Sequence, residues 1–197
     1  MFHNYTQYGY VVSPKEDSYE TIISSMAATY GVDERFIKAV IQTESSWDTG
    51  ARRSEPKIND ASVGLMQVLL KTGRSILNNP NMTEAQLATP YTNIQAGTAY
   101  YAQQLKKYGN PIDAYAAYNA GAVYRNDDGT YVNQSNVNHF IKWYNLYTGS
   151  AVPTAITKET KLALNIGGIV AVGAILVMVA FWPTSERYKA ETALQPI

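Results

Sequence analysis

Apolar residues recur every three to four positions through most of the first 148 residues, which predicts a domain built mainly from helices. Ile22, Ile23, Met26, Ala27 and Tyr30 share one face of a first helix over residues 18–30. A second helix follows over 33–46, with Asp33 suited to cap it and Glu34 in its positive first turn. Helices are predicted at about 72–79 and at 83–88, the latter opened by a Thr83/Gln86 capping box. Pro90-Tyr91-Thr92 begins a long helix that ends at Tyr108, with Ile94, Tyr101, Leu105 and Tyr108 inward and Gly109 as its cap. Pro111 starts the next helix, and Ser135 opens the last, with Val137, Phe140, Ile141 and Tyr144 inward. Between these two, Val123–Val132 around Asp127-Asp128-Gly129 predicts a β-hairpin lid. Residues 59–63 read as a loop, and the chain has no internal repeat.

The pattern changes beyond residue 148. Gly149-Ser150-Ala151-Val152-Pro153 opens a linker over 149–161, followed by 21 uncharged residues from Leu162 to Trp182. As a helix that stretch spans about 31 Å, the hydrocarbon thickness of a bilayer, so one transmembrane helix is expected over 162–182. Trp182 suits the interface, Pro183 closes the helix, and a short polar tail occupies 183–197. Lys158 and Lys161 on one side balance Arg187 and Lys189 on the other, leaving orientation open. Gly167, Ala171 and Ala174 form a small-residue face that could pack another helix. At the other end, residues 1–16 have neither the positive start nor the apolar core of a cleavable leader. They are expected to form an extended arm, strand-like over residues 8–12.

Candidate chemistry begins on the second helix. Phe36, Val40 and Glu44 are spaced i, i+4, i+8, and Ile37 and Ile41 run alongside, so Glu44 continues an apolar ridge. A carboxyl in such a place is desolvated, its pKa rises, and it can serve as a general acid near neutral pH. The same glutamate could instead pair with Arg52 or Arg53. Two further stretches bear on the choice: Gly64-Leu65-Met66-Gln67 and Ala117-Tyr118-Asn119-Ala120-Gly121. With Glu44-Ser45 they supply one acid and a few amide and hydroxyl groups, which suits cleavage of a sugar chain.

This ordered set resembles the lytic transglycosylase domain of the goose-lysozyme and soluble-transglycosylase group, over residues 17–148. Asn93-Ile94-Gln95-Ala96-Gly97 resembles the group's Asn-Ile-x-x-Gly helix start. The resemblance implies a mainly α, lysozyme-like fold, here with the small β-hairpin lid and the C-terminal transmembrane helix. It also implies that Glu44 protonates the leaving oxygen of the β-1,4 bond after N-acetylmuramic acid. Glu44 then acts as base on the sugar's own 6-hydroxyl, closing a 1,6-anhydro ring. Gln67 and Asn119 would be amide ligands for the sugar, and Tyr118 would orient Glu44. Ser45 would bond substrate or helix end, and Met66 would form either a sugar-facing wall or a structural element. Two departures stand out. Phe140, in Val137-Asn138-His139-Phe140-Ile141, occupies the place of a tyrosine expected near the acid, leaving Tyr144 or Tyr118 to replace it. Leu70-Lys71-Thr72 replaces a Pro-x-Thr pattern.

Composition narrows the partners. With 16 basic and 16 acidic residues the chain has no basic excess, so no nucleic-acid partner is expected. It has no Cys, and its two histidines, His3 and His139, are far apart, so neither a metal site nor a cofactor is expected. Tyrosine is abundant at 16 residues and suits both a carbohydrate cleft and a boundary core. The expected partners are peptidoglycan glycan strands and a lipid membrane. A wall-cutting domain ahead of an anchor resembles virion enzymes of phages with an internal membrane, where virion proteins are further partners. A bacterial inner membrane is the other location. Two other functions remain open: a hydrolysing lysozyme using Asp48 or Asp60 to position water, and a non-enzymatic glycan-binding membrane protein.

Overall fold

The helical period is realised in eight helices among the described residues. The computed structural model describes residues 14–148 and, as backbone, 169–172 and 175–178. The helices are α1 (Pro14–Asp17), α2 (Glu20–Tyr30), α3 (Glu34–Ser45), α4 (Leu70–Ile76), α5 (Glu84–Leu87), α6 (Pro90–Tyr108), α7 (Pro111–Ala120) and α8 (Gln134–Thr148). Their ends follow local chemistry. The Asp33 carboxylate accepts from Arg35 N–H at the start of α3, and Thr83 and Gln86 form the expected capping box on α5. Asn110 caps α7, while Gly109 and Gly121, both at positive φ, terminate α6 and α7.

The β structure lies elsewhere than expected. Residues 59–63 are not simply a loop: β2 (Asp60–Val63) is the central strand of a small antiparallel sheet, between β1 (Arg52–Glu55) and β3 (Val68–Leu69). With only Ala61 and Val63 apolar, β2 shows no alternation long enough to announce a strand. The lid over Val123–Val132 reduces to a single bridge between Arg125 and Tyr131. Asp128 accepts from the Thr130 N–H and hydroxyl, a local bonding pattern that competes with a ladder. Arg125 reaches Asp113 and lies over the Tyr131 ring, which pins the loop to α7 through side chains.

Aromatic rings fill the core where α3, α6, α7 and α8 meet. Phe36 stacks on Tyr144 at 4.4 Å, and Tyr115 lies flat on Phe140 at 4.3 Å and 5°. Tyr101 and Tyr118 extend the cluster. Beside it α6 presents Asn93, fully buried, to the turn after β2. The Asn93 amide donates to Val63 O and Leu87 O, and its oxygen accepts from Met66 N–H at 2.7 Å. A Cβ at Gly64 would lie 2.6 Å from Asn93 Nδ2, so the glycine is what lets this side chain approach. One turn on, a side chain at Gly97 would collide with Met66.

A second unit spans Thr157–Ile197. Its described backbone is not helical: β4 (Ile169–Val172) pairs antiparallel with β5 (Ile175–Met178), Val172 opposite Ile175. This corrects the transmembrane helix expected over 162–182 at those positions. Among the described residues no helix is long and apolar enough to cross a membrane. An unbroken apolar run has no period to separate helix from strand, and its Ile and Val residues favour a pleated form. Of the arm expected over 1–16, residues 14–16 are not extended but lie in the short helix α1, where Pro14 at the first position suits a helix start; residues 1–13, the linker 149–161 and the tail 183–197 lie outside the described residues.

Asn93→Ala is expected to destabilise the domain by about 2 kcal/mol or more, because a buried N–H and two carbonyls lose their partner together. Urea unfolding measures the loss.

Candidate active site

Glu44 projects from the last turn of α3 into a cleft of about 340 Å³ between the sheet and α7. Gln67, Tyr100, Tyr118 and Asn119 also line it, as do Arg53 and Glu55. The carboxyl keeps an opening to the cleft while protein encloses most of it. Burial therefore raises its pKa above the ordinary value near 4.5, against the opposing pull of hydrogen bonds from Tyr115 and Asn119 and of the Arg53 charge. The alternative of a paired glutamate is not what forms: Arg52 bonds Glu84 at 2.8 Å, and Arg53 bonds Glu55 at 2.6 Å.

Two side chains of α7 reach the acid. Tyr115 O–H donates to Glu44 Oε1 at 2.8 Å and Asn119 Nδ2 donates to the same oxygen at 3.2 Å. The Asn119 oxygen accepts from Asn133 Nδ2 at 3.0 Å, and Asn133 also donates to Ala116 O. Burial pushes the Tyr115 and Tyr118 hydroxyls well above the usual phenol range, with the Glu44 charge adding to it, so both remain protonated donors.

Three of the other expected site residues, Ser45, Met66 and Tyr118, hold the frame. Tyr118 O–H donates to Met66 O at 2.6 Å rather than orienting Glu44. Ser45 Oγ donates to Leu65 O at 2.7 Å and to Ile41 O, tying α3 to the turn after β2. Met66 is fully buried against α6 and so forms no sugar-facing wall. Gln67 does line the cleft, but its amide N–H groups go to Ala51 O and Gly64 O, which leaves its oxygen as an acceptor. Of the six expected residues, Glu44 and Asn119 meet directly, Gln67 and Tyr118 stand at the same cleft, and Ser45 and Met66 serve the frame.

Asp48 and Asp60 do not line the cleft. Asp48 accepts from Gly50 N–H, and Asp60 accepts from the Ala61 and Lys71 N–H groups. The other carboxylate at the cleft is Glu55, which the sequence reading missed and which is tied to Arg53. Tyr115 and Asn133 were missed as well. Tyr115 sits four residues before Asn119 and so shares its helix face, a signal that was present; Asn133 offered none. Among the described residues no cluster of His, Cys, Asp and Glu could hold a metal ion.

A family model for the transglycosylase SLT domain matches residues 21–141, the stretch that builds both α3 and the face of α7. The chain belongs to this family. Membrane-bound lytic murein transglycosylase C of Histophilus somni is 33% identical over 144 residues, covering 64% of this chain and 38% of that protein. The protein of that name from Shigella sonnei is 35% identical over 128 residues, covering 55% and 34%. The chain thus spans well under half the length of these curated relatives. A 70-kDa soluble lytic transglycosylase, solved in complex with bulgecin A, superposes with a TM-score of 0.54 at 20% identity, covering 74% of this chain and 27% of that one. That likeness bears on the fold, which is mainly helical with a small three-stranded sheet. Within the family pattern, Phe140 backs the Tyr115 ring, and the hydroxyl on Glu44 comes from Tyr115. Tyr144 instead stacks on Phe36, its own hydroxyl pushed up to about 12 by burial.

Proposed function

We propose that the chain is a peptidoglycan lytic transglycosylase in which Glu44 is the only acid and base. The observation that carries this reading is a mostly enclosed glutamate with a raised pKa, bonded by neutral donors at a cleft whose other carboxylate is held by an arginine. Family membership and the names of the curated relatives support it.

The protonated Glu44 gives its proton to the β-1,4 glycosidic oxygen after N-acetylmuramic acid as the bond from C1 breaks. The resulting carboxylate takes the proton of the same sugar's 6-hydroxyl while O6 attacks C1. Glu44 is thereby restored, the product carries a 1,6-anhydro ring, and no water is consumed. An internal nucleophile has a high effective concentration, so the mechanism needs no second carboxylate to position water. Asn119 and the Gln67 oxygen are the amide groups available to the sugar at the cleft.

Mass spectrometry of digested peptidoglycan tests the chemistry. Muropeptides one water lighter than hydrolysis products are expected; a fully hydrated product set would contradict it and indicate a lysozyme using Glu55. Glu44→Gln is expected to abolish turnover with glycan affinity retained, whereas a variant within about tenfold of the parent would place the acid elsewhere. Because burial raises the Glu44 pKa, the active acid form persists at mildly acidic pH and is lost as pH rises through that pKa, so activity falls on the alkaline side.

We propose further that the uncharged segment 162–182 attaches the enzyme to a membrane, supported by its apolarity and lack of charge and by the membrane-bound name of the relatives. A narrower form of this reading places the enzyme in the internal membrane of a phage particle, for local wall opening during genome delivery. It is supported by the pairing of a wall-cutting domain with an apolar segment. The full chain is expected to sediment with membranes and resist alkaline extraction. Recovery in the soluble fraction without detergent would contradict the attachment.

A further inference from the structure

Both hydrogen bonds that Glu44 receives arrive at one oxygen. Tyr115 and Asn119 donate to Oε1, and among the described residues nothing donates to Oε2. Both partners are held in place. The Tyr115 ring lies flat on Phe140 at 4.3 Å, which fixes its hydroxyl oxygen beside Oε1. Asn133 holds the Asn119 oxygen, so it is the amide nitrogen of Asn119 that faces the acid.

We propose that Tyr115 is a positioning residue for the acid, fixing with Asn119 the transferable proton of Glu44 on Oε2. This rests on Glu44 being the acid. In a neutral carboxyl one oxygen carries the hydrogen and donates, while the other keeps its acceptor capacity for two partners. Two donors converging on Oε1 make it the acceptor oxygen, so the hydrogen resides on Oε2. When that proton passes to the glycosidic oxygen, the O–H electron pair stays on the carboxylate and the sugar leaves as an alcohol. Hydrogen bonds to a carboxylate are stronger than those to a neutral carboxyl, so both donors favour the transfer as charge develops. The other titratable or charged groups around Glu44 are Arg53 and Glu55 from β1, Tyr118 from α7 and Tyr100 from α6.

Tyr115→Phe in the full-length chain isolates the hydroxyl, since the ring and its stack on Phe140 remain. Turnover is expected to fall about 10- to 100-fold with KM near the parent's, the loss of one hydrogen bond to a charged group. The alkaline limb of the pH profile is expected to move to higher pH, because a donor that stabilised the carboxylate is gone. Asn133→Ala, which frees Asn119 to turn, is expected to produce the same two changes on a smaller scale. A Tyr115→Phe enzyme with kcat within about twofold of the parent, or with an unmoved alkaline limb, would overturn the proposal. Glu44→Gln run alongside separates the two levels: if it keeps its activity the acid assignment has failed, and if it is inactive while Tyr115→Phe is unaffected, only the positioning role has.

Discussion

The turn Gly64–Gln67 is the point through which the rest of the domain is fastened. Its backbone accepts from Ser45 on α3 and Tyr118 on α7, and donates to Asn93 on α6. Three helices that bring the acid, its donors and the core together are thus bonded to two consecutive residues of this turn, Leu65 and Met66. Each of these bonds satisfies a backbone group that would otherwise be costly to enclose. The close approach works only because Gly64 and Gly97 present no side chain to Asn93 and Met66. The distance from Glu44 to Tyr115 and Asn119 is therefore set by a hub that itself touches no proton in transit.

Around Glu44 opposing electrostatic effects are balanced in a way that suits acid catalysis. Enclosure disfavours the carboxylate and dominates; two neutral donors and the Arg53 charge pull the other way without prevailing. Had Arg53 paired with Glu44, as its position in sequence allowed, the acid would ionise early and be useless as a proton source. Glu55 takes that arginine instead. The neighbouring phenols stay protonated, so they act as dipoles rather than as competing acids.

Much of this frame was legible in the sequence. The apolar stripe of α3, the Thr83/Gln86 box and the glycine cap at Gly109 all follow from local rules that packing did not override. The sheet was not, because β2 offers only four residues and β3 two, too few to show a period. At the site Glu44 stood out only when its stripe was read together with the two later motifs, while Ser45, Met66 and Tyr118, expected at the sugar or the acid, bond or pack against the Gly64–Gln67 turn. A motif records that residues are required together; whether they hold the frame or the substrate depends on where their polar atoms point. Tyr115 shows the converse. It stands just outside the recognisable Tyr118-Asn119 stretch, yet one helical turn brings it onto the same face as Asn119 and onto the acid. In the second unit, residues 162–182 had the length and apolarity asked of a membrane helix, and β-branched residues within them also suit the strands β4 and β5, so sequence could not separate the two.

The fold keeps Glu44 protonated above the pH at which an ordinary glutamate ionises. A carbon-13 NMR titration of the glutamate side-chain carboxyls, with the Glu44 signal assigned by its absence in Glu44→Gln, tests this most directly. Glu44 is expected to titrate at a midpoint clearly above the ordinary value near 4.5. A midpoint at or below that value would mean that the donors and Arg53 outweigh burial, and that Glu44 is not the proton source.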